Sequence, residues 1–221
     1  MKRLVWVILV IFAVIFNTRC SSTQRGGSAS PQVGSSVGGI FQQGLNYFNE
    51  FRNSEAKASF DRVLSLNPNH KDALYYRGRT LIRLNRVPEA LNDFDRVLQI
   101  DSMYAPGHAG RGEVFIKRKN LNAATQEITR TLDLNPREAQ GWYLRGIIFG
   151  YQNKINQAIN AFKKCLEIDP RNAYAHYELG LAYNQQNKKD LAVVHLENFL
   201  DLAPNAPEAE QVRRLLNTIG G

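Results

Sequence analysis

Gly44, Gly78, Gly112, Gly146 and Gly180 follow one another at intervals of 34 residues, and Ala56, Ala90, Ala124, Ala158 and Ala192 keep the same interval. Glycine makes up about 7% of an average chain, so five in one register arise by chance on the order of once in a million. A large apolar residue follows each alanine by four (Phe60, Phe94, Ile128, Phe162, Leu196). Another follows each glycine by three (Tyr47, Leu81, Phe115, Phe149, Tyr183). A chain built this way folds as a stack of like pieces.

Apolar residues at i, i+3 and i+4 within each interval predict two amphipathic helices per unit. The small residue on each helix lets two backbones approach closely, and the large ones fill the space between. Asn67-Pro68, Asn135-Pro136 and Asp169-Pro170 stop the second helix of their units, and Pro204 closes another; Ser102 stands where the fifth proline would be. One such hairpin cannot cover its own apolar face, but a row of them can.

Five consecutive units with this small/large pattern resemble tetratricopeptide repeats, at 37–70, 71–104, 105–138, 139–172 and 173–206. Trp142 fits that family's usual tryptophan at the fourth position, which Ile40, Leu74, His108 and His176 occupy in the other units. The resemblance implies an all-α fold, a right-handed α-solenoid over residues 39–221. The last segment, 207–219, reads as a polar-faced helix capping the stack.

Ahead of the repeats, Lys2 and Arg3 precede an uninterrupted apolar run, Leu4 to Phe16. Thirteen helical residues span about 20 Å, short of the roughly 30 Å hydrocarbon core, and match an export signal better than a full span. Residues 1–19 therefore read as a signal peptide or membrane anchor. Cys20 just beyond resembles the acylated cysteine of a bacterial lipoprotein, although Asn17 and Arg19 depart from the usual residues before it. Three fates stay open: lipidation at Cys20, an uncleaved anchor, or soluble export cut near Ala29. Eleven of the nineteen residues from Ser21 to Gly39 are Ser or Gly, so residues 20–38 are expected to form a flexible tether reaching about 24 Å. A tether favours attachment to a bacterial envelope membrane, with the repeats facing the periplasm.

Composition narrows the function further. The formal charge is +8, but without Lys2, Arg3 and Arg19 the body holds 25 basic against 20 acidic residues, too even for a nucleic-acid binder. Two cysteines, Cys20 and Cys165, make no disulfide framework, and no Cys-x-x-Cys or His-x-x-x-His pair offers a metal site. His108 and His176 share the repeat position of Trp142, so they are packing residues. Cys165 stands where Val63 and Val97 stand and is expected to be buried and inert. No segment is left for a catalytic domain, and no cofactor is expected. Arg77, Arg111 and Arg145 recur just before the repeat glycine, and Asp93 and Glu127 lie sixteen residues after the first two. These pairs are expected to be structural ion pairs within a hairpin.

The resemblance implies that the first helices line a concave groove. Its expected lining is Tyr75, Arg79, Arg83 and Lys117, then Tyr143, Tyr151, Tyr174 and Tyr177, basic at the second and third units and tyrosine-rich beyond. Tyrosine and arginine anchor protein interfaces, so the expected partner is a protein or peptide carrying acidic residues. The family's carboxylate clamp wants Lys and Asn in the first unit, where Phe41 and Leu45 stand. The expected function is a non-enzymatic scaffold or adaptor, similar in architecture to pilotin-type lipoproteins of type IV pilus biogenesis. A cytosol-facing adaptor on an uncleaved anchor, or an envelope enzyme framed on the repeats, are the alternatives.

Overall fold

The computed structural model of the chain describes residues 36–220, so the signal segment, Cys20 and most of the expected tether lie outside the described residues. Eleven α-helices follow in order: α1 (Val37–Asn49), α2 (Asn53–Leu66), α3 (Lys71–Arg83), α4 (Val87–Ile100), α5 (Ala105–Lys117), α6 (Leu121–Leu134), α7 (Ala139–Tyr151), α8 (Ile155–Ile168), α9 (Ala173–Gln185), α10 (Lys189–Leu202) and α11 (Ala209–Gly220). Each odd helix from α1 to α9 packs on the even helix after it, each hairpin packs on the next, and α11 lies on α10. The described residues form an all-helical solenoid. Helix α1 starts earlier than composition suggests. The Ser36 hydroxyl accepts the Gly39 N–H at 3.1 Å and caps it, making Val37 and Gly38 helical rather than tether.

The glycine ladder works within hairpins. A Cβ on Gly44 would come within 2.6 Å of the Phe60 ring, and one on Gly78 within 2.8 Å of Phe94. Phe94 also lies against Gly110 of the next unit, so one ring fills the seam between two hairpins. Ala56, Phe60, Ala90, Phe94, Ala124, Ala192 and Leu196 are wholly buried. The core runs along the stack as three successive clusters rather than one central mass.

Turn chemistry repeats as faithfully. Within each hairpin the chain turns through a residue in the left-handed region: Phe51, Asn85, Lys119, Asn153 and Asn187, with φ from 57° to 60°. The next N–H then bonds back to the helix, as Arg52 does to the Tyr47 carbonyl at 2.9 Å, giving a Schellman-type close. Asparagine tolerates this backbone. A bulky phenylalanine does so at a cost of about 1–2 kcal/mol. Between hairpins, Asn67, Asp101, Asn135 and Asp169 each accept the N–H two residues ahead, so Asp101 makes the same turn although Ser102 replaces the proline.

Trp142, His108 and His176 share a task as well as a position. Trp142 Nε1 donates to the Pro136 carbonyl at 2.9 Å. His108 Nε2 and His176 Nε2 reach the Ser102 and Pro170 carbonyls at 3.1 and 3.2 Å. Each ring ties its helix to the carbonyl six residues earlier, which is why histidine can replace tryptophan there.

Candidate functional site: an aromatic concave cavity

The arginines before the repeat glycines divide by partner. Arg77 grips Asp93 with two bonds of 2.8 and 2.6 Å and reaches Asp61 at 2.8 Å, tying α3 to both α4 and α2. Arg111 holds Glu127 at 2.7 Å and Asp95 at 3.4 Å in the same way. Both intra-hairpin pairs stand as the sixteen-residue spacing predicts. The cross-hairpin partners Asp61 and Asp95, sixteen residues before each arginine, carry the same signal read backwards. Arg145, with Ala161 where the acid would be, rests on Trp142 and Phe149 at 5.4 and 5.8 Å from the ring centres.

On the concave side a cavity of about 540 Å³ opens between the first and fifth units. Phe41 and Leu45 of α1 form one wall, Tyr174 and Asn172 at the start of α9 another, and Tyr75, Tyr76, Arg79 and Tyr143 the floor. Arg79 lies over the Phe48 and Tyr75 rings at 5.3 and 5.9 Å. Arg83 stacks on Phe48 at 3.7 Å and Phe51 at 4.7 Å and donates to the Phe48 carbonyl at 2.6 Å. Burial, and then the charge of Arg79, push the Arg83 guanidinium down to about 10, still charged at neutral pH. Among the described residues neither Arg79 nor Arg83 has a carboxylate within ion-pair distance, whereas Arg77 and Arg111 each hold two.

The tyrosines are held by packing. Burial raises the Tyr75 hydroxyl to about 12 and drives that of Tyr143 well above its ordinary range. Tyr174 donates to Glu208 at 3.0 Å, and its ring touches Tyr177 and Phe199. The Tyr177 ring lies 5.1 Å from that of Phe199, beside the cavity rather than in its wall.

Of the eight residues expected in the groove, Tyr75, Arg79, Tyr143 and Tyr174 converge on the cavity. Arg83 and Tyr177 flank it. Lys117 and Tyr151 do not reach it: each ends its helix, and both are exposed at the hairpin turns.

The charge of the site is mixed rather than basic. Asp72, Glu138 and Asp169 line it alongside Arg79. Asp72 accepts the Tyr104 hydroxyl at 2.8 Å, and burial pushes the Glu138 carboxyl up. Nearby, burial and then the Glu208 charge raise Glu178 to about 7. Asp72 and Gln140 sit at the second position of their units, in the register already read for the tyrosines. Glu138, Asp169 and Asn172 come from inter-hairpin connections, which helical periodicity does not place. No group of three or more metal-ligating side chains exists among the described residues, and Cys165 is buried with its thiol pushed to about 12 by burial.

Comparison with known proteins agrees with this architecture. Residues 41–106 and 174–206 match families described as tetratricopeptide repeat, and residues 148–187 one described as TPR repeat. A thermophilic TPR protein of Thermus thermophilus superimposes with a TM-score of 0.69 at 20% identity, covering 83% of this chain and 98% of that one. A chain of the APC/C hetero-tetramer Cut9-Hcn1 gives 0.69 at 16% identity over 85% of this chain and 37% of its own. No curated protein sequence matches the chain. Repeat spacing, helix-pair packing and family matches agree: the chain belongs to the tetratricopeptide-repeat proteins and has the architecture of a protein–protein interaction scaffold.

Proposed function

We propose that the protein is a non-enzymatic adaptor whose concave cavity binds an extended segment of a partner protein and seats a carboxylate of that segment on Arg79 and Arg83. The observation carrying this is the contrast among arginines. Arg77 and Arg111 of the frame each hold two carboxylates at ion-pair distance, while Arg79 and Arg83 beside the cavity lie on aromatic rings with no carboxylate that close among the described residues. A guanidinium fork offers planar donors to a carboxylate, and the surrounding tyrosines supply contact area at low entropy cost. Asp72 and Glu138, which also line the cavity, suit a basic residue elsewhere in the same segment.

The sequence ahead of the repeats supports a membrane-held role in the bacterial envelope. Leu4 to Phe16 with Cys20 suits a lipid or anchor, and the Ser/Gly tether lets the groove sample its surroundings while raising the partner's local concentration. Such a module suits assembly of an envelope complex, a type IV pilus being one example. Arg19, just before Cys20, favours a second reading in which Leu4 to Phe16 stays as an uncleaved anchor.

Photocrosslinkers at Arg79 and Tyr143, with convex controls at Glu167, test the groove in cells. Capture of one protein from the groove positions, lost in the Arg79→Ala/Arg83→Ala chain carrying the probe at Tyr143, is expected. Capture from Glu167 alone would overturn the proposal. The intact mass of the expressed full chain separates acylation at Cys20 from an uncleaved leader.

A further inference from the structure

Lys117 and Tyr151, expected in the groove, stand instead on the edge formed by the hairpin turns. We infer that this edge, over the third to fifth hairpins, is a docking surface for an anionic lipid bilayer. The proposal extends the membrane reading above by saying which face of the solenoid meets the headgroups.

Helices α1, α3, α5 and α7 lie side by side and α9 follows as its hairpin packs on α8, so the turns after the odd helices fall along one edge of the stack. In the first two turns the basic residues are internally neutralised: Arg52 holds Glu55, and Arg86 holds Glu89. In the next three the balance changes. Residues 117–119, 154, 188 and 189 are all Lys or Arg, all are exposed, and none has a carboxylate partner among the described residues; Asp190 is the acid beside them. The opposite edge of the same units, with Arg137 and Arg171 against Glu138, Asp169 and Glu208, carries no such excess.

Apolar side chains stand among these cations. Tyr151, Leu191 and Val194 are 49%, 44% and 52% exposed, although most large apolar side chains among the described residues are covered. Exposed basic residues interleaved with tyrosine and aliphatic groups, beside a shallow depression lined by Asn187, Lys188, Lys189, Asp190 and Leu191, are what a headgroup interface accommodates: the cations attract anionic lipid, and the apolar groups enter the acyl boundary. A phosphate backbone would leave Leu191 and Val194 without a partner.

The test uses the full chain with Cys20→Ser, because buried Cys165 does not take a label. An environment-sensitive fluorophore is placed at Gln152→Cys on the basic edge or at Asn205→Cys on the other. Vesicles are phosphatidylcholine alone or mixed with phosphatidylglycerol. The expected result is a blue shift at position 152 on phosphatidylglycerol vesicles, absent on neutral ones and at position 205. Lys117→Glu, Arg118→Glu and Lys154→Glu together should weaken the edge-dependent signal about a hundredfold, at roughly 1 kcal/mol per basic residue near an anionic surface. Chains that float with the vesicles through the leader while position 152 stays silent would overturn the edge assignment and leave the tether reading intact. An equal blue shift with soluble polyglutamate would overturn the lipid assignment in favour of an acidic protein.

Discussion

The ring of Phe51, in the first hairpin turn, meets that of Tyr174 at the start of α9 edge-on, with 6.2 Å between centroids. Every other repeat contact described joins neighbouring or next-neighbouring helices of the stack. Here the first unit touches the fifth, and Arg83 lies under the same Phe51 ring. Phe51 holds a left-handed backbone that asparagine or lysine supplies in the other four turns.

Replacing Phe51 by Asn should therefore open the groove without unfolding the hairpin. Relief of about 1–2 kcal/mol of backbone strain offsets much of the lost ring contact, so the denaturation midpoint is expected to move little. Spin labels at Glu50→Cys and Arg171→Cys should report a longer and broader distance in the Phe51→Asn chain than in the parent. An unchanged distribution would show that Phe51 does not hold the two ends together.

Arg77 and Arg145 occupy the same repeat position and should differ sharply. Arg77→Ala leaves the buried Asp93 carboxylate, 5% exposed, without its fork and unties α2 from α3, costing about 3 kcal/mol in urea denaturation. Arg145→Ala removes only contacts with ring faces and should cost below about 1 kcal/mol. Equal losses would refute the structural role given to the Arg77 network.

Two glycines of α7, one turn apart, give opposite expectations. A Cβ at Gly146 runs into the Phe162 ring, so Gly146→Ala should destabilise by about 1–3 kcal/mol through overpacking. Gly150 has nothing within 4 Å of its virtual Cβ, and Gly150→Ala should gain up to about 1 kcal/mol of helix propensity. Thermal unfolding of the two variants reads the contrast directly.

The fifth hairpin should weaken in mild acid. His176 Nε2 is committed to the Pro170 carbonyl, so its Nδ1 accepts from His195 Nδ1 at 2.9 Å. Burial, then the His176 and Lys163 charges, hold His195 down at about 4. Between the ordinary histidine value near 6.5 and about pH 4, the unfolded chain binds a proton that the folded chain refuses. This contribution to stability is therefore complete above pH 6.5 and fades as pH falls through that window. His195 is partly exposed, so screening keeps the loss on the order of 1 kcal/mol. His195→Gln keeps a donor for His176 and removes the titration; its urea midpoint should fall less between pH 7 and pH 4.5 than the parent's.

The repeat and its buttresses were legible because they depend on local spacing. Gly44 against Phe60 and Arg77 against Asp93 are both separations of sixteen, the step from one helix to its partner. The cavity was legible only in part. Register within a helix places Tyr75, Arg79, Tyr143 and Tyr174, but their meeting with the Phe41 and Leu45 wall of the first unit depends on the accumulated rotation of four successive hairpins. No single interval in the sequence encodes that sum. Lys117 and Tyr151 went astray for a related reason: the groove register runs off the end of the helix, where the chain has already turned towards solvent.

A stack that contacts only its neighbours can gain or lose a unit and remain the same kind of object. Contact between Phe51 and Tyr174 ends that freedom. With one hairpin removed from the middle, Tyr174 would arrive a step too early; with one added, a step too late. The ring pair thus acts as a counter set to five. Lineages that duplicate or delete a repeat would be expected to lose the aromatic residue at position 51 first, returning it to the asparagine that the other turns favour.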